Sequence, residues 1–540
     1  MGGPWLDGGA SIALDQQGHV YATGTCQDTA DFDPGPGVFE LAPPVFVTKF
    51  DPLGGFEWAA GVREVGGGST YANAIAVDPQ GNVIVAGGYT GTTIFGSGPD
   101  ADTLYAHPAW ADFFVWKLST NGDHIWAIGI GGTEGDAANA VAVDTLGRIH
   151  VGGSFKETVD FDPGPGIQEL VSEGEEDLFI LKLDGDGQFI WVKHFGGAWP
   201  EHDVRGLIVD DQGSVYSTGT FYGITDFDPA PNEVFMHSEG EHDAFIAKLD
   251  SAGILVWVRT FGGPGNDMGM DITMDGAGNI YATGRFYANA EFNPGPDSTF
   301  LSTTGGDDAF AIQLDANGDL QWARSVGGGP HVDVGWSIGI DGASHVIIAG
   351  SFQVTDPIDS VDFDPGPDEF LLASNGWGDV FVWTLTTSGV FVSAVSVGGL
   401  DMDFGADGAV DDYGGIYVNG NYKGEVDFDP GTGIDLRVSA MEHDIFIWKL
   451  GSGSSGMEHF ADRAAPIVFP NPGSDLLHIR LSDGSDIDRL MVRDMSGRLV
   501  AVAQGGRGAT DLDISHLAAG TYLLDVGTSR QVHRLCFQKH

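Results

Sequence analysis

Cysteine is nearly missing. Cys26 and Cys536, at opposite ends of 540 residues, make neither a disulfide framework nor a zinc set. Bases are scarce too: 24 Lys and Arg stand against 77 Asp and Glu, a formal charge of −53 at pH 7. Such a field repels phosphate backbones and anionic membranes and concentrates cations, which sets nucleic-acid binding aside. No apolar run approaches the roughly 18 residues of a membrane span. No stretch keeps a helical period, and no nucleophile elbow, HExxH or phosphate-cradling glycine motif occurs. What the chain has in excess is glycine, 84 residues, about twice the usual share, beside 42% hydrophobic and 11% aromatic residues. That pairing excludes disorder and points to many short strands joined by tight turns.

The charge is uneven along the chain. Residues 464–540 hold eight acids and eight bases, so the remaining 69 acids and 16 bases lie in residues 1–463. Between the two regions runs Gly451-Ser452-Gly453-Ser454-Ser455-Gly456, a flexible-linker composition. The reading is two modules, 1–450 and 464–540, joined by a linker over 451–463.

A repeat fills the first module. The heptad Asp-Phe-Asp-Pro-Gly-Pro-Gly at Asp31–Gly37 returns at Asp160–Gly166, Asp226–Asn232, Glu291–Asp297, Asp362–Asp368 and Asp427–Gly433, with a degenerate copy at Phe95–Asp100. From Asp160 onward the intervals are 66, 65, 71 and 65 residues, which makes seven units. Each unit reads as four strands: short segments rich in aromatic and β-branched residues, bounded by Gly, Asp and Pro. One such unit cannot bury its own apolar face, and seven four-stranded sheets set radially can. The expected fold is all-β: a seven-bladed β-propeller, followed by a small C-terminal β-sandwich. The last unit stops at Leu450 before its fourth strand, and the first opens at Met1-Gly2-Gly3, where such a strand should already have ended. The expectation is 27 strands, with the closing strand and a signal peptide upstream of Met1.

Three patterns, Gly278-Asn279-Ile280-Tyr281-Ala282-Thr283-Gly284, Asp243-Ala244-Phe245-Ile246-Ala247-Lys248-Leu249-Asp250, and a Trp followed by Gly-Gly, carry a resemblance. Residues 1 to about 450 resemble the bacterial seven-bladed β-propeller repeat (SBBP) family, which implies the fold and no common activity. In the second module, Phe469-Pro470-Asn471-Pro472, Leu476–Ile479, Val492–Val500 and Ile514–Val526 occur in the order seen in type IX secretion sorting domains of Bacteroidota, and the module resembles that family. The resemblance implies passage across the outer membrane, with the secretion machinery as partner, and release or tethering at the surface. The residues that carry it are Pro470, Asn471, Pro472, Gly497, Arg498, Gly520, Thr521, Tyr522 and Lys539.

The heptads are the candidate metal site. Asp31 and Asp33, Asp160 and Asp162, Asp226 and Asp228, Asp362 and Asp364, and Asp427 and Asp429 set two hard oxygen donors two residues apart before a Pro-Gly turn, a spacing used by calcium loops. Calcium wants six to eight oxygens, so the remainder would come from carbonyls, water or the recurrent acids Asp112, Asp177, Asp243, Asp308, Asp379 and Asp444. The alternative is a turn in which Asp caps the backbone and Phe anchors the core. Trp58, Trp126, Trp191, Trp257 and Trp322 read as packing between blades, Asp15, Asp78, Asp144, Asp210, Asp275 and Asp341 as hairpin-turn residues, and the Glu-His-Asp triplets at 201–203, 241–243 and 442–444 as surface.

No catalytic constellation stands out, and the favoured reading is a secreted or surface-displayed scaffold that binds a glycan or protein. The alternative is an extracellular carbohydrate-active hydrolase or lyase, which needs two acids that break the sevenfold pattern.

Overall fold

A computed structural model of the chain describes residues 1–540 except 4, 36, 108, 199–202, 229–232, 294–297, 354–359, 412–413, 432, 452–465, 470–475, 482–488, 495–497, 505–508, 519, 528–531 and 540. The chain divides into two compact units, residues 1–428 with 436–453, and residues 429–435 with 454–540. Among the described residues the only helical turn is the 3₁₀ turn Gly98–Asp100, which sits in the degenerate heptad.

Among the described residues the first unit holds seven successive antiparallel sheets, six of four strands and a last one of three, beside short flanking hairpins. Sheet 4 is typical, with strands Asp203–Val209, Val215–Asp226, Phe235–Leu249 and Leu255–Phe261 paired in chain order. The first strands of the seven sheets are Asp7–Leu14, Thr70–Val77, Ala137–Val143, Asp203–Val209, Met268–Met274, Val334–Ile340 and Phe404–Val410. Each packs beside the next all the way round, and Phe404–Val410 returns to Asp7–Leu14. All seven line one cavity, so the sheets are blades about an axial channel. The molecule is a β-propeller, as its repeats require.

The repeated residues have repeated jobs. Asp210 Oδ1 accepts the N–H groups of Gln212 at 3.0 Å and Ser214 at 2.7 Å, closing the first hairpin of blade 4 while Gly213 takes φ +80°. The same pair of bonds recurs at Asp15, Asp78, Asp144, Asp275 and Asp341. Trp58, Trp191 and Trp322 each donate their indole N–H to a turn carbonyl of the following blade, Thr120, Ser251 and Thr387, at 3.0–3.3 Å. The heptad phenylalanines Phe32, Phe161, Phe227, Phe292 and Phe363 are buried, and Phe227 packs between Phe221 and Phe245 with ring centroids 5.4 and 5.1 Å away. Burying one such side chain contributes about 1.5–3 kcal/mol, so each of these five blades is pinned to its own heptad.

In the seventh blade the three strands are Phe404–Val410, Ile416–Asp427 and Leu436–Leu450. Met1 stands against Ile445 through two backbone hydrogen bonds of 2.8 and 2.9 Å, the position Phe261 holds against Ala244 in blade 4.

The second unit is a sandwich of two sheets. One pairs Pro466–Phe469, Leu476–Leu481 and Ala509–Asp513, and the other Leu499–Gln504, Arg489–Asp494, Gly520–Gly527 and Val532–Lys539. Alternation along the strands puts Leu477, Ile479, Leu490, Val492, Leu512 and Leu524 into one buried core.

Candidate functional site

Each heptad lies in its own blade, between the second and third strands, and the fold does not gather the heptads together. In blade 3, Asp160 Oδ1 accepts the N–H groups of Asp162 at 3.1 Å and Gln168 at 2.7 Å, and Asp162 Oδ1 accepts that of Gly164 at 2.8 Å. Asp31 with Asp33 and Asp362 with Asp364 repeat all three bonds, Asp226 holds Asp228 and Val234 in the same way, and Asp429 holds Gly431. These are turns locked by side-chain acceptors. Asp427 closes the second strand of blade 7. Among the described residues no three His, Cys, Asp or Glu side chains are grouped so as to hold a metal ion.

The recurrent acids at the head of the third strands sit elsewhere, at the junctions between blades. Asp243 of blade 4 is buried beside Asp267, the residue that leads into blade 5. The linker Gly262-Gly263 crosses over both: a Cβ on Gly262 would lie 2.5 Å from Asp243 Cγ, and Gly263 N–H donates to Asp267 Oδ2 at 2.7 Å. Gly131-Gly132, Gly327-Gly328 and Gly398-Gly399 cross Asp112 and Asp136, Asp308 and Asp333, and Asp379 and Asp403 in the same manner. The Gly-Gly signature is therefore a junction device. Burial raises these carboxyls, Asp136, Asp243, Asp308, Asp333 and Asp403 to about 7. The surface reading of the Glu-His-Asp triplets is corrected here, since Asp243 and Asp444 are buried in junctions. Their neighbour Glu442 stays outside and pairs with Lys423 at 2.6 Å.

The channel is where the blades cease to be alike. Every first strand carries a one-residue bulge at the same point, and the bulged residues are Ala10, Asn73, Asn139, Arg205, Met270, Trp336 and Ala406. An extra residue in one strand bends it and re-aims a side chain. All seven bulged residues line a cavity of about 450 Å³, a size that suits a small ligand. The next position reads Ser11, Ala74, Ala140, Gly206, Asp271, Ser337 and Asp407, so two acids occur there and nowhere else in the series.

Hydrogen bonds run round this belt in two arcs. Asn73 Nδ2 donates to Asn139 Oδ1 at 2.8 Å, Asn139 Nδ2 donates to Asp203 Oδ1 at 2.6 Å, and Arg205 pairs with Asp203 Oδ2 at 3.2 Å. In the other arc Asp271 Oδ2 accepts Ser337 Oγ at 3.0 Å and Ile338 N–H at 2.8 Å, while Asp407 Oδ2 accepts Ser11 Oγ at 2.7 Å and Ile12 N–H at 2.9 Å. Ile75 N–H donates to Ser11 Oγ at 3.3 Å and so joins the arcs between blades 1 and 2, and they do not join between blades 4 and 5, where a Cβ on Gly206 would lie 2.9 Å from Asp271 Cα. There the two backbones touch and leave no room for a side chain. Burial, and then the neighbouring Asp407, raises the carboxyl of Asp271, and burial raises that of Asp407. The Ser337 hydroxyl donates to Asp271 Oδ2, with Gly408 O as a second acceptor at 3.0 Å. Neither acid has an ion-pair partner among the described residues, and Arg205, the one cation lining the cavity, is held by Asp203.

Sequence reasoning passed over this site. Yet a signal exists: each bulged residue lies five positions before the Asp of its hairpin turn, from Ala10 and Asp15 to Ala406 and Asp411. Aligning the units on that Asp exposes one column with five different residue types.

Of the sorting residues, Gly520, Thr521 and Tyr522 pair with Lys539, Gln538 and Phe537 across one hairpin. Tyr522 donates its hydroxyl to Ala518 O at 2.9 Å, and Arg498 is exposed just before Leu499–Gln504. Pro470, Asn471, Pro472 and Gly497 lie outside the described residues.

The class defined by this geometry is a β-propeller that carries a separate C-terminal β-sandwich. Residues 467–536 match the family described as the secretion system C-terminal sorting domain. The chain is 24% identical over 282 residues to an uncharacterized WD repeat-containing protein of Acanthamoeba polyphaga mimivirus, covering 46% of this chain and 20% of that protein. It is 29% identical over 190 residues to the regulatory protein FlaEY of Caulobacter vibrioides, covering 34% of this chain and 18% of that protein. The chain thus spans about a fifth of the length of these curated relatives. The WD-repeat likeness fits a repeat propeller. The sorting domain implies export by type IX secretion to the cell surface or the space outside it.

Proposed function

We propose that the protein is a binding scaffold exported through type IX secretion, whose propeller presents its axial channel to a ligand outside the cell. The observation that carries this reading is the channel belt: seven first strands with one backbone design and bulged residues of five different types, in a protein with a sorting domain. A purely structural ring has no use for such variety, whereas recognition needs an asymmetric lining. The SBBP resemblance of residues 1–450 agrees with a scaffold and names no activity.

The enzyme alternative has its own observation. Asp271 and Asp407 are two acids that break the sevenfold pattern inside one pocket. However, the Oδ2 atom of each already accepts a serine hydroxyl and a backbone N–H of the neighbouring blade. Carboxylates so engaged hold blades together and are poorly placed to protonate a glycosidic oxygen. Binding is therefore the better reading. Glycan arrays and surface-protein pull-downs with the full chain, with calcium present, test it: a partner lost on Trp336→Ala supports the proposal, and the absence of any partner counts against it.

A further inference from the structure

We infer that the axial channel takes a small organic cation, a molecule bearing an amino or quaternary ammonium group, with Asp271, Asp407 and Trp336 as its receiving residues. The inference rests on the binding reading above and names the chemistry of the ligand.

The cavity of about 450 Å³ is lined by all seven first strands. Of its charged lining residues, Arg205 is paired with Asp203, outside the lining set, at 3.2 Å. Asp271 and Asp407 remain, both deep in the ring, with no cation facing either among the described residues. Their hydrogen bonds come from Ser11, Ser337 and the backbone N–H groups of Ile12, Ile272, Ile338 and Gly408, all of them neutral donors. Neutral donors ease the burial of a carboxylate and do not cancel its charge. A cation placed beside them favours the charged forms that burial disfavours, and in a low-dielectric pocket that attraction is far stronger than at the surface. The rest of the protein, at −53, adds to the same field.

The lining also selects the kind of cation. A calcium ion asks for six to eight oxygens, and the described residues offer no group of three or more acidic or histidine ligands. An ammonium group needs fewer partners, and an aromatic ring in the same lining favours it by cation–π attraction. Trp336 is the bulged residue of blade 6, between the blades that carry Asp271 and Asp407. Met270 adds a soft apolar wall next to Asp271. Two acids and an indole lining one open channel make a receptor for an organic cation.

Isothermal titration calorimetry on the full chain at pH 7.5 tests the inference with three cations, tetramethylammonium, putrescine and glucosamine, and two neutral counterparts, 1,4-butanediol and glucose. At least one cation is expected to bind in the channel, tenfold or more tightly than either neutral compound. Asp271→Asn is expected to weaken binding at least tenfold. Met270→Lys, which leaves the serine–aspartate bonds untouched, supplies an ammonium group from within and is expected to abolish binding even if Asp271→Asn folds poorly. The inference is overturned if the neutral compounds bind as well as the cations, if calcium binds and no organic cation does, or if binding survives Met270→Lys unchanged. It is equally overturned if none of the three cations binds. A partner found on the arrays alongside any of these results leaves the scaffold reading standing without the cation.

Discussion

Asp407 Oδ2 lies 2.7 Å from Ser11 Oγ and 2.9 Å from the backbone nitrogen of Ile12, joining blade 7 to blade 1 across 396 and 395 residues of chain. Asp271 makes the same pair of bonds to Ser337 and Ile338 between blades 5 and 6. The first strands of neighbouring blades are not paired in one sheet, so these side chains supply the polar stitching at the axis. Where blade 7 has three strands, the Asp407 latch and the contact of Met1 with Ile445 bring the two ends of the ring together.

Removing one hydroxyl from the latch is expected to leave a buried carboxylate short of a donor. Ser11→Ala should cost about 1–3 kcal/mol in urea unfolding. Ser337→Ala should cost a similar amount, and a loss under about 0.3 kcal/mol in both would show that the stitching is ornamental.

The Gly-Gly junctions make a steric prediction. Gly262→Ala puts a methyl 2.5 Å from Asp243 Cγ and 2.8 Å from Asp267 Oδ2, so it is expected to destabilise by about 1–3 kcal/mol or more. Gly276→Ala, with nothing within 4 Å of its Cβ, should stay within about 0.5 kcal/mol of the parent protein. Equal effects at the two sites would contradict the role given to the junction.

Titration of the junction acids fixes how stability depends on pH. Burial lifts Asp136, Asp177, Asp243, Asp308, Asp333 and Asp403 from 3.8 to about 7, and Asp112, Asp267 and Asp379 to about 6. Between these values and 3.8 the folded protein holds protons that the unfolded chain has released, so stability falls as pH rises through that window. The thermal midpoint should therefore drop from pH 5 to pH 7.5 and level off above. Asp243→Asn should flatten the slope, and a midpoint that climbs with pH would refute this assignment.

The heptads offer a calcium test. Their carboxylates already serve as acceptors within the turn, so the thermal midpoint of the full chain should be the same in EDTA and in millimolar calcium. A rise of several degrees in calcium that disappears in Asp162→Asn and Asp228→Asn would make them metal loops, since a ligand of the folded state alone raises the midpoint by mass action.

The propeller was legible because its determinants repeat. Asp210 with Gly213, the heptad around Phe227, and Gly262-Gly263 each close a turn or cross a junction that every blade must have, so the same residues recur from unit to unit, the heptads from Asp160 onward at steps of 65 to 71 residues. The channel was illegible for the opposite reason. Ala10, Arg205 and Trp336 share a backbone position and no chemistry, and repeat matching discards such columns. The burial of Asp243 was equally hidden, because it depends on Gly262 folding back over it from the next linker. In the second module the order of short motifs was enough, since residues 467–536 match the sorting family as a whole.

Export is the central claim, and one measurement addresses it most directly. The full chain and a version ending at Leu450, each placed behind the same signal peptide, are expressed in a bacterium with a working type IX system, and the cell surface, medium and periplasm are assayed with an antibody to the propeller. The account predicts the full chain at the surface or in the medium and the shortened chain confined to the periplasm. Equal appearance of both outside the cell would contradict it.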